Sequence, residues 1–286
     1  MRRRPLTVEI DLDHGGRWTS LRTSDHPAVL AQPERPEPVE GRSDGMREWL
    51  WHRPVVATDR TSVRPGEAFV DAGGVEECFP TVAGRWDHGD VWSRPWQGTP
   101  TDASVAALGW QLRRRIEAEP TGLTVRYDLH GEPGHGVLHA MHGLYALSDE
   151  ARVVVPGGTP LRVQDVSGDG AWRPGRWPDD GLDRCGPADG TARLAVVDTS
   201  SVRLVDGPDV LELSWRLDRG AGPVSLLLWR NLGGWPDGAP YRSIGVEPLL
   251  GAATDVDTAE PDQLARPDVD GRLEWSLRIR GYRHEA

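Results

Sequence analysis

Apolar and polar residues alternate one for one through much of the chain. Leu211, Leu213, Trp215 and Leu217 interleave with Glu212, Ser214 and Arg216, which in extended backbone puts the four apolar side chains on one face. The same period returns in Val125, Tyr127 and Leu129 against Thr124, Arg126 and Asp128, and in Leu273, Trp275, Leu277 and Ile279. No run of ten or more residues holds a convincing helical period. Ala103 to Arg115 comes closest, yet Trp110, Leu112 and Ile116 fit a strand equally well. Glu119-Pro120-Thr121-Gly122 and Asp206-Gly207-Pro208-Asp209 each separate two alternating runs and read as hairpin turns. Many short strands punctuated by 34 Gly and 24 Pro predict an all-β chain, a large antiparallel β-sandwich formed by residues 1–286 as one domain. Two segments break the rhythm. Pro33-Glu34-Arg35-Pro36-Glu37-Pro38 with Val39 to Gly45 is too polar to pack and is expected to be a mobile loop, and Ala171 to Gly190 is a second long connection that could line a site.

Charge and composition remove several chemistries. All 33 basic residues are arginine, so Schiff-base catalysis, pyridoxal phosphate attachment and a Walker A loop, each of which needs lysine, are excluded. A net charge of −11 argues against a general nucleic-acid binder, which needs a basic face. Two cysteines, Cys78 and Cys185, cannot build a disulfide scaffold or a four-cysteine zinc site, and they point to a reducing cytoplasm. No stretch approaches the roughly 18 apolar residues of a membrane span, and Met1-Arg2-Arg3-Arg4-Pro5 leads into polar alternation without an apolar signal region, so a soluble, unexported protein is expected.

Aromatic usage is lopsided, with 13 Trp against 4 Tyr and 2 Phe. About two-thirds of the tryptophans fit a sandwich core. Trp92, Trp96, Trp177 and Trp235 stand in polar, turn-rich contexts, where tryptophan mixed with Arg, Asp, Glu and His suits a carbohydrate pocket. Three islands concentrate such residues. Gly73-Gly74 to Phe79-Pro80 runs on to Asp87-His88-Gly89 and Arg94-Pro95-Trp96, where Asp87 could orient His88. Leu138 to Leu147 reads as a buried strand in which His139 and His142, three apart, face opposite sides, which disfavours a shared metal. Trp229 to Pro236 precedes Gly245-Val246-Glu247-Pro248, where Glu247 is a lone carboxylate in an apolar strand. Burial would raise its pKa toward acid/base use, whereas an arginine partner would lower it and make it structural.

Taken in order, these islands resemble the aldose 1-epimerases of the galactose mutarotase-like superfamily, especially the hexose-6-phosphate 1-epimerase-like branch. The resemblance rests on Gly73-Gly74 with Phe79-Pro80, His88-Gly89 with Arg94-Pro95-Trp96, His142-Gly143-Leu144-Tyr145-Ala146-Leu147, Gly245-Val246-Glu247-Pro248, and an opening hairpin at Gly15-Gly16-Arg17-Trp18-Thr19-Ser20-Leu21. It implies cofactor-free interconversion of sugar anomers, with Glu247 as base, His142 as acid at the ring oxygen and His88 as a second histidine on the sugar. It also implies Trp92, Trp96 and Trp235 as stacking walls, Arg94 on a hydroxyl or anionic substituent, and Asp183 and Glu77 as further substrate contacts. The expected partner is a small carbohydrate, bound by a monomer or homodimer, with no metal, nucleic acid or membrane.

The pattern also departs from those relatives. Met141 stands where many have Asn, Leu144 replaces the usual Tyr, and Glu76-Glu77 bring negative charge that suits a sugar phosphate poorly. The alternatives are a carbohydrate binder without catalysis, which needs the tryptophans but not the Glu and His pair, and a lyase or glycoside-processing enzyme on the same sandwich.

Overall fold

The structure is a computed structural model that describes residues 1–24, 42–43, 46–53 and 60–284. The Pro-rich segment from Pro33 to Gly45 lies outside the described residues except for Arg42 and Ser43. The N-terminal strands are β1 (Arg2–Arg4), β2 (Leu6–Asp11), β3 (Arg17–Thr23), β4 (Arg42–Ser43), β5 (Met46–Glu48), β6 (Val75–Cys78) and β7 (Gln97–Thr99). They are followed by β8 (Asp102–Ala107), β9 (Trp110–Glu119), β10 (Gly122–His130), β11 (His139–Tyr145), β12 (Arg152–Val154), β13 (Pro160–Asp165) and β14 (Trp172–Arg176). The last are β15 (Ala192–Val197), β16 (Ser201–Asp206), β17 (Asp209–Arg219), β18 (Val224–Leu232), β19 (Arg242–Leu250) and β20 (Arg272–Arg283).

These strands form two antiparallel sheets. One runs β12-β16-β17-β20-β10-β9-β8-β7 with β1 added to β20, and the other runs β14-β13-β15-β18-β19-β11-β6-β3-β5-β4 with β2 added to β3. The alternating runs are the strands that close the core. Leu211, Leu213 and Trp215 of β17, Val125, Tyr127 and Leu129 of β10, and Leu273, Trp275, Leu277 and Ile279 of β20 are buried in one cluster shared with the inner faces of both sheets. Each such side chain contributes about 1.5–3 kcal/mol on burial, so the alternation itself drives the two sheets together. The expected turns join their neighbours: Pro120 and Thr121 connect β9 to β10, and Gly207 and Pro208 connect β16 to β17. The ambiguous stretch from Ala103 is the hairpin of β8 and β9, reversed at Leu108 and Gly109, both in left-handed conformation. Among the described residues no helix is long and apolar enough to cross a membrane.

The second long connection, Ala171 to Gly190, is partly ordered into β14, which pairs with β13 at the sheet edge.

Candidate active site

The register of the second sheet lays five positions, one from each of five strands, side by side on its outer face. Val196 of β15 pairs with Leu227 of β18, and Leu227 pairs with Glu247 of β19. Glu247 lies opposite His142 of β11, between the Ala140–Leu249 and Leu144–Gly245 pairs, and His142 in turn pairs with Glu76 of β6. Because the period is two, the neighbours of these residues in each strand point inward: Val246 and Met141 join the core. Leu227, Glu247 and His142 of this row, with Leu194, Trp229 and Leu144 of the next, floor a cleft of about 500 Å³.

Glu247 is 1% exposed and His142 8%, and the Glu247 Oε1 to His142 Nε2 distance is 3.7 Å. Burial pushes the Glu247 carboxyl well above the ordinary carboxylate range, and the charge of Asp71 adds to it. Burial likewise pulls the His142 imidazole well below its usual value, with His88 as the second cause. Glu247 Oε2 is buried without a hydrogen-bond partner among the described residues. Of the two environments left open by the sequence, the buried one is observed: among the described residues no arginine pairs with Glu247, and burial raises its pKa.

His88 reaches the cleft from a loop. Its own φ is 62°, and Gly89 follows at 75°, where a Cβ would lie 2.1 Å from the Phe79 carbonyl oxygen, so only glycine permits that approach. His88 Nδ1 is 3.0 Å from Asp87 Oδ1, which leaves Nε2 available to a ligand when Nδ1 carries the proton. The ring stacks on Phe69 at a centroid distance of 3.5 Å and meets His142 edge-on at 4.9 Å. Phe69 also touches Trp92 and His142 edge-on, and so braces both histidines.

An aromatic wall closes another side. The Asn231 side-chain oxygen accepts hydrogen bonds from the backbone N–H groups of Gly233, Gly234 and Trp235, and its amide donates to the Trp235 carbonyl at 2.8 Å. This loop stands Trp235 perpendicular to Trp229 and against Tyr241. Tyr241 stacks on Trp51, donates its hydroxyl to Asp71, and lies beneath the Arg53 guanidinium at 4.2 Å.

Four of the expected residues, Glu247, His142, His88 and Trp235, thus line one cleft, and five do not. Trp92 and Trp96 are buried: Trp92 lies under Arg60, and Trp96 under Arg114. Both pack where Gly15 and Gly16 of the first hairpin approach them, Gly15 against the Trp92 carbonyl and Gly16 against the Trp96 ring. Trp177, another tryptophan in a turn-rich context, is also buried in the core. Arg94 is held by Asp90 at 2.6 Å and borders a separate groove beside Trp110 and His130. Asp183 pairs with Arg152 at 2.8 Å, and no residue from Ala171 to Gly190 lines the cleft. Glu77 points inward, where it accepts hydrogen bonds from Arg114 and Tyr127 and sits 3.1 Å from His139 Nε2. The structure adds Arg53, Phe69, Asp71, Trp229 and Tyr241 to the lining. Trp229 opens the third island and Tyr241 lies between its two segments, but Arg53, Phe69 and Asp71 lie in irregular backbone that carries no periodic signal.

No protein-family model matches the chain, and no curated protein matches it in sequence. Solved structures do match in three dimensions. The Slr1438 protein of Synechocystis aligns with a TM-score of 0.65 at 12% identity, covering 96% of this chain and 91% of its own. A galactose mutarotase related enzyme from Lactobacillus acidophilus aligns at 0.63 and 10% identity, covering 100% and 99%. A galactose mutarotase-like protein from Lactobacillus casei aligns at 0.55 and 13% identity, covering 94% and 95%. At such identities the likeness speaks for architecture alone. The all-β sandwich built here, with its two large antiparallel sheets, is the galactose mutarotase-like fold.

Proposed function

We propose that the protein is an aldose 1-epimerase-like isomerase that interconverts the anomers of a reducing sugar without a cofactor. The observation that carries this reading is the pairing of Glu247 with His142, 3.7 Å apart on the cleft floor with His88 beside them. Mutarotation needs one proton taken from the C1 hydroxyl and one delivered to the ring oxygen; the ring then opens, the C1–C2 bond turns, and closure reverses the transfers. Glu247 takes the hydroxyl proton and His142 supplies the ring oxygen. His88, oriented by Asp87, hydrogen-bonds the sugar through Nε2.

The two pKa directions describe how the pair is poised. Burial favours the form with the proton on Glu247 and a neutral His142. A sugar hydroxyl donating to the unpartnered Glu247 Oε2 favours the ionised carboxylate, so ligand binding itself moves the pair toward its working state. Either arrangement holds one proton, which is what the overall reaction requires.

Exchange spectroscopy between α and β anomers, run with wild type and Glu247→Gln, tests the reading. Wild type is expected to accelerate exchange of at least one sugar, and the variant to lose about 10²- to 10⁴-fold of that rate while still binding it. Full activity in Glu247→Gln, or binding without any accelerated exchange, would remove the assignment, the latter in favour of a carbohydrate-binding protein.

A further inference from the structure

The cleft floor changes character abruptly at Glu247. On one side of it the outward position belongs to His142, with His88 reaching in above; on the other it belongs to Leu227. The next row of the same face is apolar throughout, because Leu194 of β15 pairs with Trp229 of β18, Trp229 with Gly245, and Gly245 with Leu144 of β11. Strands are spaced about 4.8 Å apart, so the apolar half extends roughly 10 Å from Glu247 across β18 and β15. Among the described residues its floor offers no side-chain hydrogen bond, and Thr254 lines the same cleft beyond it. Leucine has no donor or acceptor, and the Trp229 indole N–H is already given to Ser243 Oγ at 3.1 Å. Trp235 stands over this region with 41% of its surface exposed, completing a wall of ring and aliphatic surface.

Charge gives the second constraint. Among the described residues three carboxyl side chains, Asp71, Asp87 and Glu247, line the cleft against one guanidinium, that of Arg53. Arg53 lies over the Tyr241 ring, whose hydroxyl binds Asp71, so its charge is set beside an opposing one. A phosphate would bring nearly two further negative charges into this surrounding.

A hexopyranose with its anomeric carbon between Glu247 and His142 directs its remote edge over the leucines and Trp229, toward Arg53 and Asp71, or out of the cleft. Hydroxyls placed on the apolar half would lose water without gaining a partner, at a cost of roughly tenfold in affinity each. We infer that the cleft selects an uncharged, hydroxyl-poor reducing sugar of the deoxyhexose type, with its deoxygenated edge on Leu194, Leu227 and Trp229. The orientation rests on the ring-opening reading above; the preference for a hydroxyl-poor, uncharged ligand follows from the wall and the charges alone.

The test pairs 6-deoxyhexoses with their parent hexoses and with glucose 6-phosphate, measuring anomer exchange by NMR and, separately, binding by tryptophan fluorescence. The expected result is kcat/KM about tenfold or more higher for a 6-deoxyhexose than for its parent, with glucose 6-phosphate lowest. Leu227→Asn, which puts a hydrogen-bonding group into the wall, is expected to narrow that ratio. Wild-type ratios decide the matter if this variant does not fold. Equal or reversed ratios, or a preference for glucose 6-phosphate, overturn the inference while leaving mutarotation in place. If no sugar is turned over, the ring-opening reading fails, and the order of binding constants still decides the preference: tighter deoxyhexose binding upholds it, and equal or weaker binding overturns it.

Discussion

Glu247 is costly to the fold that carries it. Among the described residues no arginine neutralises this buried carboxyl, so it is stable when protonated and expensive when ionised, and its raised pKa expresses that difference. The sign follows directly. A group whose folded pKa lies above its unfolded value contributes fully below the unfolded value and loses that contribution as the pH rises through the folded one. Glutamine keeps the shape and cannot ionise. Glu247→Gln is therefore expected to be more stable than wild type by a margin that is small near pH 5 and grows toward pH 8, read by thermal or denaturant unfolding at each pH. A margin that shrinks with rising pH would mean that Glu247 has a stabilising charged partner after all. The same substitution is the one expected to lose catalysis, so stability and activity should move in opposite directions at this position, as they do where a site holds strained electrostatics.

Among the strands, β19 shows how a small residue shapes a site from within an element. Gly245 has its outward position between Trp229 and Leu144, and a Cβ there would lie 2.7 Å from Glu247 Oε1 and 2.9 Å from Trp229 Cβ. The Glu247 carboxyl can thus occupy the space over Gly245 because no side chain fills it. Gly245→Ala is expected to push the carboxyl toward His142 and to lower kcat by about ten- to a hundredfold, a loss typical of an ångström-scale misplacement, and the crowding against Trp229 to cost about 1–3 kcal/mol of stability. Unchanged kcat in a folded Gly245→Ala protein would mean that the carboxyl position tolerates displacement. This element was also the most legible in the sequence, since Glu247 stood out as a charge in an apolar strand, and the spacing of His139 and His142 already required opposite faces. Alternation alone left open which histidine faced the cleft, because it fixes relative parity and only pairing with β6 and β19 decides which face is inside; the resemblance named His142, which lines the cleft. The loops misled most. Trp92 and Trp96 sit among turn residues that suggest exposure, yet they fold under Gly15 and Gly16, far away in sequence. Arg53, Phe69 and Asp71 gave no signal, because irregular backbone has no period against which a residue can look out of place.

Between the two sheets lies a polar bridge that bears on the protein as a unit. Glu77 of β6 and His139 of β11 belong to one sheet; Arg114 of β9, Tyr127 of β10 and Trp275 of β20 belong to the other. Arg114 and Tyr127 donate to Glu77 Oε1 at 2.7 and 3.1 Å, and the Trp275 indole donates to His139 Nδ1, which leaves His139 Nε2 to donate to Glu77 Oε2. Burial alone would raise the Glu77 pKa, but the His139 hydrogen bond and the Arg114 charge outweigh it and hold the carboxyl below its ordinary value. A depressed folded pKa means stability that is present above the unfolded value, near pH 4.5, and lost as the pH falls through the folded one. Glu77→Gln keeps the size but leaves Arg114 buried without its counter-charge, and breaking such a pair from one side costs about 3–5 kcal/mol. The variant is thus expected to be less stable than wild type by an amount of that order at pH 7, with the gap closing as both are acidified below pH 4, measured by urea unfolding across that range. Its folded fraction should keep the wild-type KM, because Glu77 faces the core and the cleft opens on the opposite face of the sheet. A KM raised many-fold at unchanged stability would instead mean that Glu77 serves the sugar; a gap independent of pH would mean that the bridge holds the sheets by packing rather than by charge.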